Sequence, residues 1–195
     1  MSFVPSDFDA TKWENIEPFM KELKDRKLSC SSCLEKFIHD RSSLGEFISE
    51  TRAKIYIKMT CFTDDKEVQK SWMDFVENIE PKLSEYSDIL NRRIINHSSV
   101  GELPDKYSVM LQGLKTNIDI FREVNIPLKT QDTKLVTEYN EICGAQTVQF
   151  DGEEKTFSMM AIYLENTDRT VREAAYRAID ERRMQDAERI SEIYD

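Results

Sequence analysis

The sequence predicts an all-α, mainly helical fold: an antiparallel helix bundle with one appended β-hairpin and a long C-terminal helix. Three observations lead there. Five Gly and five Pro in 195 residues leave few sharp turns. Large apolar residues recur at three- and four-residue steps through most of the chain, the period of a helix with one buried face. One stretch only, around Val148 to Phe157, places β-branched and aromatic residues on both sides of Asp151-Gly152, a pair suited to a tight hairpin turn.

Taken in order, the first helix carries Trp13, Ile16, Phe19, Met20 and Leu23, with Asp9 or Thr11 as its cap. Pro18 sits inside that run and fits only if the preceding turn is short or the helix proper begins near Glu17, because proline is tolerated in a first turn and not later. A second helix, capped by Ser29, Ser31 or Ser32, carries Leu34, Phe37 and Ile38. Ser42 or Ser43 is expected to restart the chain as a third, with Leu44, Phe47, Ile48, Ile55 and Met59 on one side. Thr63 or Asp64 caps the next, in which Val68, Trp72, Phe75, Val76, Ile79, Leu83, Tyr86 and Leu90 keep the period past Pro81, so a kink or a short break is expected near Ile79.

The polar segment 96–104, with Gly101, reads as a loop. Tyr107, Met110, Leu111, Leu114, Ile118 and Phe121 form another stripe that ends before Pro127, and a helix over about 128–142 stops at Gly144. After the hairpin, Ser158 can cap a short helix over Met159–Leu164. Thr167 or Asp168 caps a last one, carrying Val171, Ala174, Ala175, Ala178 and Ile179. No Gly, Asn or Pro follows that run, and Ile190, Ile193 and Tyr194 crowd its end, so the C-terminus reads as a cut through a helix. The expected division is an N-terminal helical domain, 1–145, and an incomplete second region, 146–195. The face around Val171, Ile190 and Tyr194 is expected to be an exposed apolar patch or to be covered by a second copy, giving a homo-oligomer.

A net charge of −10 is the wrong sign for a phosphate backbone, so no nucleic-acid partner is expected. No apolar run approaches the roughly 20 residues of a membrane span. The start, Met1-Ser-Phe-Val-Pro-Ser-Asp-Phe-Asp9, has neither the basic beginning nor the apolar middle of a secretory signal, so a cytoplasmic chain is expected. Its cysteines, at 30, 33, 61 and 143, are then expected as reduced thiols, with Cys61 and Cys143 as small core residues.

The chemistry is read chiefly by exclusion. The two histidines, His39 and His97, lie in no H-E-x-x-H, and Lys36 and Ile94 stand where a di-iron Glu-x-x-His pair would need Glu. Phosphate-cradling glycine loops and a G-x-S-x-G elbow are absent as well. Cys30-Ser-Ser-Cys33 is half of a zinc knuckle, or a redox pair without the surrounding βαβ unit, and reads first as two thiols at a helix start. Asp64-Asp65 and Glu153-Glu154 fall at a cap and a turn, and Arg169, Arg172 and Arg177 with Glu173 read as one-turn ion pairs on a solvated face. Trp13, Trp72 and Phe121 read as core. No catalytic, cofactor-binding or metal-ligating residue is assigned.

Several separated runs nevertheless share one resemblance. Val148-Gln-Phe-Asp-Gly-Glu-Glu-Lys-Thr-Phe157, then Tyr163-Leu164, Asp168-Arg169, Val171-Arg-Glu-Ala-Ala175 and Arg177-Ala178, resemble the hairpin-and-helix segment of the oligoendopeptidase F family of zinc metallopeptidases. Upstream, Trp13-Glu-Asn-Ile-Glu-Pro18, Tyr56-Ile-Lys-Met-Thr-Cys61, Ile79-Glu-Pro-Lys-Leu83, Leu90-Asn-Arg-Arg93 and Phe121-Arg-Glu-Val-Asn-Ile-Pro127 resemble that family's N-terminal region, in the family's order. The resemblance implies a parent enzyme with a helical body around a channel. There, a helix-borne H-E-x-x-H and a downstream Glu hold one zinc, and the metal-bound water cleaves short peptides. It also implies that this chain holds none of those ligands, that zinc and the catalytic half lie elsewhere in the parent, and that the chain forms a wall of the substrate channel. The alternative expectation is a free-standing helical protein-interaction module without enzymatic activity.

Overall fold

The computed structural model describes residues 3–62 and 65–195. Among them are eight α-helices, two 3-10 turns and one two-stranded sheet. The chain divides into two compact units, Met1–Gln131 and Asp132–Asp195. The division falls inside a helix, Asn125–Gly144, whereas the sequence places it after residue 145.

The first unit begins with α1 (Trp13–Asp25), which runs through Pro18 instead of starting at Glu17. The proline removes only the hydrogen bond to the Glu14 carbonyl, and the turn before it buries Trp13 and Ile16, which holds it helical. The N-cap of α1 is Lys12, with no side-chain cap hydrogen bond, so neither Asp9 nor Thr11 caps the helix; Asp9 instead holds the preceding turn, accepting from both the backbone N–H and the hydroxyl of Thr11. Next, α2 (Ser31–Cys61) is one helix of 31 residues, about 46 Å long, and the expected restart at Ser42 or Ser43 does not occur. Leu34, Phe37, Ile38, Leu44 and Ile48 all stay buried along it, so packing overrides the weak helix propensity of the serines and Gly45.

Asp65 caps α3 (Lys66–Asn78) by accepting from the N–H groups of Glu67 and Val68. The alternative caps, Thr63 and Asp64, lie outside the described residues. Helix α3 stops at Asn78 and α4 (Glu80–Ile95) starts with Pro81 in its first turn, which is the expected break at Ile79. The 3-10 turns Val100–Glu102 and Asp105–Tyr107 lead to α5 (Ser108–Ile120), and α6 (Asn125–Gly144) begins with Pro127 in its first turn. One core cluster joins α1, α2, α3 and α4 through Ile16, Leu23, Phe37, Phe75 and Leu90, and Phe3, Phe8 and Val4 from the N-terminal segment pack into it. A smaller one holds Met59, Trp72 and Val76 at the far end of α2.

In the second unit, strands β1 (Thr147–Phe150) and β2 (Glu153–Thr156) pair antiparallel. Asp151 and Gly152 have φ of 56° and 77°, the two positive values of a type I′ turn. Thr156, not Ser158, caps α7 (Phe157–Leu164), and Asp168 caps α8 (Arg169–Tyr194). Val148, Met160, Ala175 and Ile179 form this unit's core. Val171 and Ile190 are half-buried, while Tyr176, Met184 and Tyr194 are exposed on α8.

Asp40 links the start of α2 to the end of α1 and is expected to make the first unit acid-sensitive. It is buried, and its carboxylate accepts from Lys36 and from Arg26, each at 2.7 Å. Burial pushes its pKa up, but the hydrogen bonds and charges of Lys36 and Arg26 outweigh that and hold it below the ordinary carboxylate range. A carboxyl depressed in the fold contributes its stability above the unfolded value of about 4 and loses it as pH falls through the lower folded value. The midpoint of urea unfolding should therefore fall as pH is lowered below about 4. Asp40→Asn should unfold at lower urea at pH 7 and show a shallower acid limb.

Candidate functional site

A concavity of the first unit runs along α4. Ser84, Ser87, Asp88 and Asn91 stand at positions i, i+3, i+4 and i+7, so they share one polar stripe, while Leu90 and Ile94 point into the core. The end of α5 and the start of α6 close over that stripe. Asn117, Ile120, Phe121, Arg122, Asn125, Ile126 and Lys129 complete a pocket of about 330 Å³. A second, about 340 Å³, lies toward α2 and α3, with Ser49, Arg52, Phe75 and Glu80 on its walls. Ser84, Ser87, Ile126 and Lys129 line both, so the two are lobes of one groove with the buried Ile126 between them.

The polar groups of the groove are held from behind. Arg41 of α2 donates to Asn91 Oδ1 at 2.6 Å, which leaves the Asn91 amide N–H groups to face other partners. Burial lowers the pKa of Arg41. Asp88 accepts from Arg92 Nε at 2.7 Å through Oδ2, whereas its Oδ1 is buried with no hydrogen-bond partner. Arg52 and Glu80 pair at 2.5 Å, and the Arg52 guanidinium lies 5.3 Å from the centre of the Trp72 ring. Serine hydroxyls, three asparagine amides and charges of both signs can hydrogen-bond a polar, extended ligand.

Of the residues singled out in the sequence, Phe121 lines this groove, whereas His39 and His97 do not. Tyr107 donates its hydroxyl hydrogen to Glu35 at 2.8 Å and lies 3.1 Å from His39 Nε2, which then donates to the phenol oxygen. Lys106 and then Tyr107 hold the Glu35 carboxyl below its ordinary range, and burial followed by Glu35 raises the Tyr107 phenol. His97 Nδ1 accepts from the Ser99 N–H, so its Nε2 is the donor toward Leu28 O at 3.3 Å. Both histidines are thus engaged in tying loops and helices together. Among the described residues, no three His, Cys, Asp or Glu are grouped so that they could hold a metal ion. Glu153 pairs with Lys155, Arg177 with Glu173, and Arg172 donates to the Asn166 and Thr167 carbonyls.

The cysteines depart from expectation. Cys61 is exposed and not a core residue, because α2 ends there and turns that position outward. Cys143 is half-buried. Cys30 and Cys33 are joined as a disulfide instead of standing as two thiols. Cys30 is extended at the N-cap of α2, which brings its sulfur back over the first turn.

A family model described as the peptidase M3 N-terminal domain matches residues 3–121. The chain belongs to the peptidase M3 family. Solved structures show the same fold beyond the matched segment. A protein described as an oligoendopeptidase F, determined by X-ray diffraction at 3.1 Å, matches 100% of this M3 chain at 19% identity with a TM-score of 0.85, over 35% of its own length. Another so described, from Bacillus anthracis str. Ames, also matches 100% at 18% identity and TM-score 0.87, over 36% of its length. PZ peptidase A, solved with an inhibitor, matches 98% at 19% identity and TM-score 0.88, over 34% of its length. The M3 chain therefore spans about a third of the structures it resembles. Among curated proteins, no sequence matches it.

The polar stripe on α4 was visible in the sequence as the complement of the apolar one. The groove was not, because it exists only where α5 and α6 fold back over that stripe.

Proposed function

We propose that the chain is the non-catalytic N-terminal portion of a zinc-dependent oligoendopeptidase and forms a wall of that enzyme's substrate channel. The supporting observation is the M3 N-terminal match combined with a fold shared, over nearly all of this chain, with about a third of the length of proteins described as peptidases. In this reading the zinc and the water it activates belong to the catalytic half. The groove along α4, with the Asn91, Asn117 and Asn125 amides and the Ser84 and Ser87 hydroxyls, offers hydrogen bonds to the backbone of a short peptide. The exposed Tyr176, Met184 and Tyr194 of α8 are the surface that the catalytic half covers. Cytoplasmic residence, which the N-terminal sequence suggests, belongs to the same reading.

The purified 195-residue chain, supplied with zinc and a quenched peptide substrate, should show no turnover above buffer. Hydrolysis that a chelator abolishes would overturn the proposal. The coding sequence beyond Asp195 provides the complementary check: an H-E-x-x-H downstream supports the enzyme reading, and a stop codon favours an interaction module.

A further inference from the structure

We propose that Cys30 and Cys33 are a reversible dithiol–disulfide pair, a thiol-exchange site at the start of α2 whose oxidant is a small disulfide of the glutathione class. The two Cα atoms lie 5.1 Å apart, within the range that a disulfide spans without backbone movement. Cys30 occupies the N-cap, and its sulfur accepts the Cys33 N–H at 3.2 Å, so the same atom closes the helix and carries the chemistry. The first turn of α2 contains no acidic residue, leaving the partial positive charge of the helix start unopposed at Cys30. Two hydroxyls attend the pair: Ser32 Oγ is 3.2 Å from Cys30 Sγ, and Ser29 Oγ is 3.7 Å from Cys33 Sγ. Both cysteines are half-buried, so a small thiol can reach them.

The backbone around the pair is fixed independently of the sulfurs. Arg93 donates to the Arg26 carbonyl, and His97 faces the Leu28 carbonyl at 3.3 Å, which anchors the connection from α1 to α2 in either redox state. The N-cap bond to Cys30 sulfur is available to a thiolate as well as to a disulfide. Oxidation begins when the Cys30 thiolate attacks one sulfur of oxidised glutathione and expels one glutathione thiolate. The Cys33 thiolate then attacks Cys30 Sγ, expelling the second. The two cysteine protons end on the two glutathione thiolates, so the dithiol loses two electrons and the glutathione disulfide gains them.

The test uses the full chain carrying Cys61→Ser and Cys143→Ser, so that the pair is the sole source of thiols. It is equilibrated across reduced and oxidised glutathione, quenched in acid and alkylated with a maleimide of known mass. Both thiols should lose alkylation together in one transition, in a monomer whose far-UV circular dichroism is unchanged. Adding Cys33→Ser should trap one glutathione on Cys30, whereas adding Cys30→Ser instead should leave Cys33 reacting at least about tenfold more slowly. Serine is itself a good N-cap, so these variants keep the helix start. Thiols that stay alkylatable in fully oxidised buffer, protection that develops only as helicity is lost, or equal adduct rates in the two single-thiol variants would each overturn the proposal. These readouts do not involve peptide hydrolysis and stand or fall apart from the peptidase reading.

Discussion

Phe37→Ala is expected to lower the stability of the first unit by about 3–5 kcal/mol, the cost of deleting a fully buried aromatic ring. Phe37 is 0% exposed at the centre of the main core cluster. Its ring also supports two cations: the guanidinium carbons of Arg93 and Arg26 lie 5.4 and 5.9 Å from its centroid. Removing the ring therefore leaves a cavity and takes away the surface on which both arginines rest. Phe37→Leu keeps most of the volume and should lose roughly half as much. Chemical denaturation followed by far-UV circular dichroism would measure both. A loss below about 1 kcal/mol for alanine would mean that the site collapses around the smaller side chain or that the ring is not central to the core.

Arg93→Ala should be nearly as damaging, by about 2–4 kcal/mol, and Arg93→Lys should recover less than half of the loss. The guanidinium of Arg93 donates to three backbone carbonyls, those of Leu23, Lys24 and Arg26. These lie in the last turn and cap of α1, where helix carbonyls have no partner of their own. A residue on α4 thus closes the end of α1. The planar fork of arginine presents its N–H groups in directions that match the three acceptors, whereas a lysine ammonium concentrates its donors at one point. Urea midpoints of the two variants separate this from a simple charge effect, because lysine keeps the charge. Full recovery in Arg93→Lys would show that the charge, and not the fork, closes the helix.

Neither arginine–phenylalanine packing nor carbonyl capping can be read from a sequence, and the reason is general to this chain. What depends on local period was legible: the apolar faces of α1, α3 and α4, the break that Pro81 enforces at Ile79, and the Asp151-Gly152 hairpin all follow from near-neighbour chemistry. What depends on distant partners was not. Ser42, Ser43 and Gly45 look like a helix boundary, yet the buried face from Asp40 through Leu44 to Ile48 carries α2 across them. Asp40 itself is a charged residue on that face, tolerated because Arg26 arrives from the preceding helix. Phe3, Val4 and Phe8 carry no helical period, so their place in the core emerges only when α1 and α2 have met. The groove on α4 belongs to the same class: its residues are ordinary surface polars until α5 and α6 cover them. Cys30 and Cys33 show the converse case, a spacing plain in the sequence whose pairing needs the extended backbone of one residue.

The unbroken course of α2 ties together regions that two shorter helices would have left independent. Ile55 packs against both the main cluster and the smaller one around Met59 and Trp72, and it sits on the same rod that holds Phe37 at the other end. Loosening the tip therefore withdraws support from a residue shared with the centre, and a helix resists bending at a single interior turn more than a loop would. The first unit is in this sense built around an axle, whose two ends share the packing of Ile55 and so do not loosen independently.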